Sequence, residues 1–206
     1  MRLSEALLLE ARLGVAWPVK HAPVVLAAVV WLACVPAASA QTAGRDGAPS
    51  LLIDEVRAGV FAHSIDPNNG EDGADLNLEL LLRRPGGRYD NPLLDFALRP
   101  RVHIGGSVNT AGDTSQVYAG LSWDVQLAPK LSLELTFGGA VHDGPTGAAV
   151  DSYGCSVNFR ESASLGYALD ERWTVYGTVA HMSNADLCDQ NTGLTSVGVR
   201  LGYKLK

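Results

Sequence analysis

The chain has 206 residues, 47% of them hydrophobic and 18% charged, with a formal net charge of −6. That length accommodates one domain and a targeting segment. The acidic balance, with no basic run carrying interleaved aromatics, excludes a nucleic-acid footprint and with it a nucleic-acid partner.

The N-terminal segment has the form of an export signal. A lead containing Arg2, Arg12 and Lys20 precedes an apolar stretch from Ala22 to Val35, and Ala38-Ser39-Ala40 supplies the small-x-small cleavage pattern. The apolar stretch is shorter than the roughly 20 residues that a membrane-spanning helix needs. Cys34 is preceded by Trp31 and Leu32, the wrong residues for a lipoprotein box. The expectation is a signal peptide over 1–40, removed after Ala40, then a short polar leader over 41–50 and a single domain over 51–206.

Within 51–206 the dominant signal is alternation with period two, interrupted by turn-rich gaps. Strands are expected at about 51–64, 75–84, 95–108, 114–127, 130–142, 156–168, 171–184 and 194–205. In the fourth, Val117, Ala119, Leu121, Trp123, Val125 and Leu127 share one face, opposite Gln116, Tyr118, Ser122, Asp124 and Gln126. In the last, Val197, Val199, Leu201, Tyr203 and Leu205 oppose Ser196, Arg200 and Lys204. Past residue 40 no apolar run is long enough for a spanning helix. A membrane-embedded form of this chain must therefore be a closed barrel, because lipid offers no partner to an open strand edge.

Three features favour the membrane. Gly and Ser mixed with Arg, Glu and Asp on the polar faces suit a narrow interior filled by ion pairs. Connections at 128–129 and 169–171 are tight, whereas 65–74, 143–155 and 185–193 are long, as in outer-membrane barrels with short periplasmic turns and long outer loops. The stretch 85–94 is the exception, long for a periplasmic turn. Trp123, Tyr167, Trp173 and Tyr203 fall near strand ends on the apolar face, where aromatic girdles belong. The reading is an all-β, eight-stranded antiparallel up-and-down transmembrane β-barrel in the outer membrane of a Gram-negative cell. The alternative is a soluble periplasmic or secreted β-barrel or sandwich with the same alternation turned inside out. Whether barrels pair as a homodimer is left open.

Cys155 and Cys188 both fall on the outer side in this topology, and an oxidising compartment permits a disulfide between them; two free thiols are the alternative. Without neighbouring His pairs they make a poor metal site. His63, His103 and His142 lie near strand ends on the polar face and are assigned to interior hydrogen-bond networks.

The seventh run ends in Ala180-His181-Met182-Ser183-Asn184-Ala185. His181 and Ser183 are two apart and share a face with Val175 and Val179, the outward one. Polar groups turned to lipid cost stability, which invites a functional reading. A hydroxyl two residues beyond an imidazole provides two of the parts that acyl transfer requires. His-x-Ser is by itself a weak motif, and a polar pair closing a strand is its bland alternative.

The wider stretch His181-Met182-Ser183-Asn184-Ala185, Asn191-Thr192-Gly193-Leu194 and Val197-Gly198-Val199-Arg200-Leu201-Gly202-Tyr203 resembles the PagL-type lipid A 3-O-deacylases, over about the last 27 residues. The resemblance implies an outer-membrane serine esterase that removes the 3-O-linked 3-hydroxyacyl chain from lipid A of lipopolysaccharide in the outer leaflet, without metal or organic cofactor. It assigns Ser183 as nucleophile and His181 as general base. It also assigns the Asn191 side chain and the Ala185 amide as oxyanion donors, with Asn184 holding the loop. The family's orienting carboxylate falls here on Thr195, which can hydrogen-bond an imidazole but carries no charge.

Glu161 shares the outward face with Val157, Phe159, Ala163 and Leu165, and pairing through the turn at 169–171 brings it opposite residues 177–181. That makes it a candidate acid, with Asp186 and Asp189 as fallbacks and a rim charge turned away from His181 as the bland reading. Two rival functions remain open at this stage: a non-catalytic structural or adhesin-like barrel with a decayed site, and an esterase or phospholipase acting on another lipid.

Overall fold

The computed structural model describes residues 52–67, 69–84 and 86–205. The signal peptide and polar leader expected over 1–50 lie outside the described residues. Eight strands follow in chain order: β1 (Ile53–Ala62), β2 (Ala74–Leu82), β3 (Arg101–Asn109), β4 (Gln116–Ala128), β5 (Leu131–His142), β6 (Val157–Ala168), β7 (Trp173–Ser183) and β8 (Leu194–Lys204). Each pairs antiparallel with the next, and β1 pairs with β8, closing an up-and-down barrel. Among the described residues no helix is long and apolar enough to cross a membrane.

The third strand differs from its expectation. It begins at Arg101, and Pro92–Leu98 form a short helix, α1, where the alternation predicted extended chain from residue 95. The cause is local. The Asn91 side chain accepts from the Leu93 and Leu94 amides, Pro92 occupies the first turn, and Pro100 follows the helix end. The helix also accounts for the length of the 85–94 connection.

The direction of the alternation decides the environment. Val157 and Val199 are 63% and 60% exposed, whereas Arg57 and Arg200 are 0% and 1% exposed. A barrel with its apolar face outward and its charges inside suits lipid, not water, and the soluble alternative does not hold. Eight strands leave an interior just wide enough for side chains to fill. Here the filling is ionic. Arg57 Nη2 donates to Glu134 Oε2 at 2.9 Å and its Nε to Glu55 Oε1 at 2.8 Å. Arg101 bridges Glu55 and Glu134 at 2.9 and 3.1 Å, and Arg200 donates to Glu79 at 2.7 Å. Tyr176 and Tyr118 donate to Glu55 and Glu79, and the guanidinium groups of Arg57 and Arg160 lie 4.0 and 3.7 Å from the centres of those two rings. Glycine makes room for the rings. Tyr118 pairs across strands with Gly105 and Tyr176 with Gly166, where an added Cβ would meet each ring at 2.7 Å.

The start of β1, the end of β8, α1 and the tight turns after β4 and β6 lie at one end of the barrel; the loops 63–73, 110–115, 143–156 and 184–193 lie at the other. Trp123, Tyr167, Trp173 and Tyr203 cluster toward the tight-turn end, with Trp173 and Tyr203 in ring contact at 4.6 Å. His63 locks the outer end. Its Nδ1 pairs with Asp75 at 2.7 Å and its Nε2 with Glu71 at 2.8 Å, while Thr114 and Tyr153 from two other loops each donate to Glu71 at 2.7 Å. His103 and His142 are also inside, the first edge-on to Tyr118 and the second bonded to the Cys155 carbonyl at 2.8 Å.

Two outcomes follow from this filling. Glu134→Ala leaves Arg57 and Arg101 short of a buried counter-charge, and loss of one partner of a buried pair costs about 3–5 kcal/mol. Urea unfolding of the refolded barrel, read by its heat-modifiable gel mobility, should show that loss. The loop lock depends on pH. Burial by itself would lower the His63 pKa, but hydrogen bonds and charge from Asp75 and Glu71 outweigh it and raise it to about 9. A raised histidine stabilises fully below its ordinary value of 6.5 and loses that contribution as pH rises through about 9. Glu71, held below its usual range despite burial by bonds from His63, Thr114 and Tyr153, loses its share only on acidification. Limited proteolysis of the 63–73 loop should therefore accelerate between pH 8 and pH 10 in the wild type (a window of roughly one unit either side of that pKa) and show no such rise in His63→Gln.

Candidate active site

β7 carries the site to the outer rim on the lipid-facing side. His181 and Ser183 are half-buried and alternate with buried Ala180, Met182 and Asn184, so both point out of the barrel wall. The neighbouring strands set their surroundings. His181 is the cross-strand partner of Glu161 on β6 and of Thr195 on β8, and Ser183 is the partner of Phe159. The imidazole Nδ1 lies 2.8 Å from Thr195 Oγ1. With Nδ1–H donating to that hydroxyl, Nε2 is left as the basic nitrogen, the tautomer that a general base needs.

Glu161 thus lies directly opposite His181, nearer than the diagonal relation read from the turn. Among the described residues no hydrogen bond or ion pair joins the two; the ring is held by Thr195 instead. Asp186 makes a different contact, accepting from Asn191 Nδ2 at 3.0 Å.

The segment after Ser183 is fixed by its own backbone and by the neighbouring loop. Ala185 and Asp186 take left-handed conformations, φ 55° and 59°, which non-glycine residues adopt at a cost. What holds them there is a set of bonds around Asn184. Its amide donates to Asn191 Oδ1 at 2.8 Å, and its side chain donates to the Tyr153 carbonyl at 2.8 Å and the Gln190 carbonyl at 2.5 Å. A disulfide between Cys155 and Cys188, with Cα atoms 5.8 Å apart, ties the same two loops. Gly193 closes over the ring: its φ is +70°, and an added Cβ would lie 3.1 Å from His181 Cε1. Asn69 anchors this turn from the first loop by donating to the Gly193 carbonyl at 2.7 Å.

Sequence reasoning singled out His181, Ser183, Asn184, Asn191 and Thr195, and these converge within one rim segment. It missed the clamp from Asn69 and Tyr153, because nothing in a sequence announces a contact between residues more than 80 positions apart. It quoted Gly193 only within a longer motif, where glycine is the one signal that a backbone passes over something.

A groove of about 380 Å³ opens beside Ser183 on the outer face of β5 and β6, lined by Phe137, Gly139, Val157, Phe159 and Leu187. Phe137 and Phe159 stack at 5.9 Å along it, and nothing but backbone faces the space above Gly139. The rim segment brings together an imidazole and a hydroxyl two residues apart on one strand face, a loop held in left-handed backbone and an apolar groove on the outer face of the wall. Among the described residues no group of His, Cys, Asp and Glu is arranged to hold a metal ion.

Residues 118–204, from β4 to the end of β8, match the family model PagL, Lipid A 3-O-deacylase. Of solved structures, the crystal structure of the outer membrane enzyme PagL is similar at a TM-score of 0.56 and 18% identity, covering 73% of this chain and 99% of that one. Neisserial surface protein A (NspA) is similar at a TM-score of 0.50 and 8% identity, covering 73% of this chain and 96% of that one. These likenesses show the fold. No curated protein matches the chain. The family match covers residues 118–204, somewhat under half of the chain, and runs through every strand that builds the rim site, on a fold similar to that of an outer-membrane enzyme.

Proposed function

We propose that this chain hydrolyses the 3-O-linked acyl ester of lipid A in the outer leaflet, with Ser183 as nucleophile and His181 as general base. The observation that carries the reading is the placement of these two residues outward at the rim, with the imidazole already bonded through Nδ1 to Thr195 at 2.8 Å. A lipid substrate reaches the barrel sideways, so a site turned to lipid is the accessible one. The apolar groove beside Ser183 gives its acyl chain a place to lie while the ester meets the hydroxyl at the interface.

His181 takes the proton of Ser183 as Oγ attacks the ester carbonyl carbon. The oxyanion forms beside the Ala185 amide and the Asn191 side chain. One Asn191 N–H is bonded to Asp186, which leaves its second N–H for the substrate. The sugar hydroxyl departs with the proton from His181. A water molecule, deprotonated by the same imidazole, then attacks the acyl-serine, releasing a 3-hydroxy fatty acid and returning the proton to Ser183.

Thr195 orients the ring, and the negative charge that an imidazolium requires comes from Glu161 on the other flanking strand. Directly opposed cross-strand side chains lie on the order of 5–6 Å apart; over such a separation, at an effective dielectric of about 20, the attraction is about 3 kcal/mol, on the order of 100-fold in rate. The carboxylate needs no hydrogen bond to act in this way. Asn184 and the disulfide hold the oxyanion loop against the third outer loop.

The reaction is tested with the refolded barrel in detergent and purified lipopolysaccharide, read by mass spectrometry of lipid A. The wild type should remove one 3-hydroxyacyl group. Ser183→Ala should lose activity by roughly 10⁶, as nucleophile removal does in serine proteases. A folded wild type that leaves lipid A intact but releases fatty acid from phospholipids would reassign the substrate. Inertness toward both would mark a decayed site, the reading that the uncharged Thr195 favours. Glu161→Gln should lower kcat on the order of 100-fold, and Thr195→Glu should restore it in the double variant. If Glu161→Gln leaves kcat unchanged while Thr195→Ala abolishes it, the hydroxyl works alone and Glu161 has no part.

A further inference from the structure

At the tight-turn end, α1 presents an apolar face that meets no partner among the described residues. Leu93 and Leu98 are 76% and 58% exposed, and Leu94 and Ala97 are exposed between them. Spacings of one, three and four residues put these four side chains in a single stripe along the helix. The other side is occupied: Asp95 accepts from Arg99 at 2.7 Å and from the Tyr89 amide at 3.0 Å, and Phe96 is half-buried. Three leucines on a seven-residue helix would be an odd choice for water, since so short a helix is marginal without something to pack on.

The helix lies outside the barrel wall, not across its mouth. Trp123, on the lipid-facing side of β4 with exposed Leu121 and Val125, donates its indole N–H to the Ala97 carbonyl at 3.3 Å. Trp123 belongs to the aromatic cluster at this end, so the helix continues the apolar surface at the depth where indoles meet headgroups. The charges agree. Arg83 and Arg88, on the connection into α1, are exposed. The outer loops 63–73, 110–115, 143–156 and 184–193 contain no Lys or Arg, whereas Lys130, Arg172 and Lys204 lie with α1 at the tight-turn end.

We propose that α1 is an interfacial anchor, its Leu93–Leu94–Ala97–Leu98 face resting in the phospholipid leaflet on the tight-turn side, with Arg83 and Arg88 at anionic headgroups. An amphipathic helix with this division lies in the interface plane and binds through apolar burial together with attraction to anionic lipid. Linked to the wall by Trp123, it fixes how deep the barrel sits, and so the height of the rim at the opposite end that carries Ser183. The inference rests on the barrel spanning a membrane and is independent of the catalytic assignments.

The test uses the full chain with Cys34→Ala, its Cys155–Cys188 disulfide intact, refolded into vesicles of phosphatidylethanolamine and phosphatidylglycerol. A nitroxide is placed in turn by Leu93→Cys, Leu98→Cys, Leu135→Cys in the lipid-facing band and Asp90→Cys in the connection. Relaxation by oxygen against a polar nickel complex then reports depth. Labels at 93 and 98 are expected to shift toward oxygen, matching 135 and departing from 90. If they match 90, the helix stands in water, the anchor is wrong, and the face is free for a soluble partner. Replacing phosphatidylglycerol by phosphatidylcholine should shift the 93 label toward nickel in the wild type and leave it unmoved in Arg83→Gln/Arg88→Gln. An unchanged wild-type label would overturn the role given to the two arginines.

Discussion

Lipid supplies no hydrogen-bond partner to a backbone, so every strand of this chain has to be paired on both edges, and the last edge can be paired only by the first. The β1–β8 ladder, running from Glu55 with Lys204 to Ala62 with Val197, is the contact on which everything else rests. Closure at eight strands makes the interior narrow, and the outward apolar face leaves only that interior for the charges. Arg57, Arg101, Arg200, Glu55, Glu79 and Glu134 are therefore driven into one network, where each carboxylate has to meet more than one cation. Glycines opposite Tyr118 and Tyr176 are the steric counterpart of the same confinement.

The rigidity of that interior serves the rim. A polar side chain on the lipid-facing surface has no core to hold it, so its position is set by the strands on either side and by the loops above. Register places His181 between Glu161 and Thr195, and the hydroxyl of Thr195 supplies the bond that fixes the ring. Above the rim, the left-handed turn at Ala185 and Asp186 is held by Asn184, by the disulfide and by Asn69 from the first outer loop. Backbone strain at Ala185 is tolerated because several independent bonds over-determine it.

The two ends of the barrel divide the labour by charge and by shape. The outer end carries long acidic loops bound together through Glu71, His63 and Tyr153, a lid over the lumen that leaves the lipid-facing rim open. The opposite end has tight turns, basic residues, the indoles and one short helix outside the wall. A molecule whose substrate lies in one leaflet gains from a fixed height in the bilayer, and such an asymmetry is one way to obtain it.

Exposed Val157 and Val199 with buried Arg57 and Arg200 decided the inside-out polarity, which alternation alone leaves open; the period-two pattern by itself determined the strand count and the two faces, because a strand alternates strictly between its sides. It failed at residues 95–100, where Asn91 capping and two prolines outweighed alternation, since a cap and a fixed φ act within a few residues while strand pairing is settled elsewhere. His181, Ser183, Asn184 and Asn191 were legible as a linear motif, being close in the chain. Register was not. That Glu161 faces His181 directly, that Thr195 and not a carboxylate takes Nδ1, and that Asn69, Tyr153 and Cys155 brace the loop depended on how eight ladders align once the barrel closes. A sequence fixes which residues share a face; only the closed structure decides which of them stand side by side, because neighbours across strands are set by the summed registers of the whole ring.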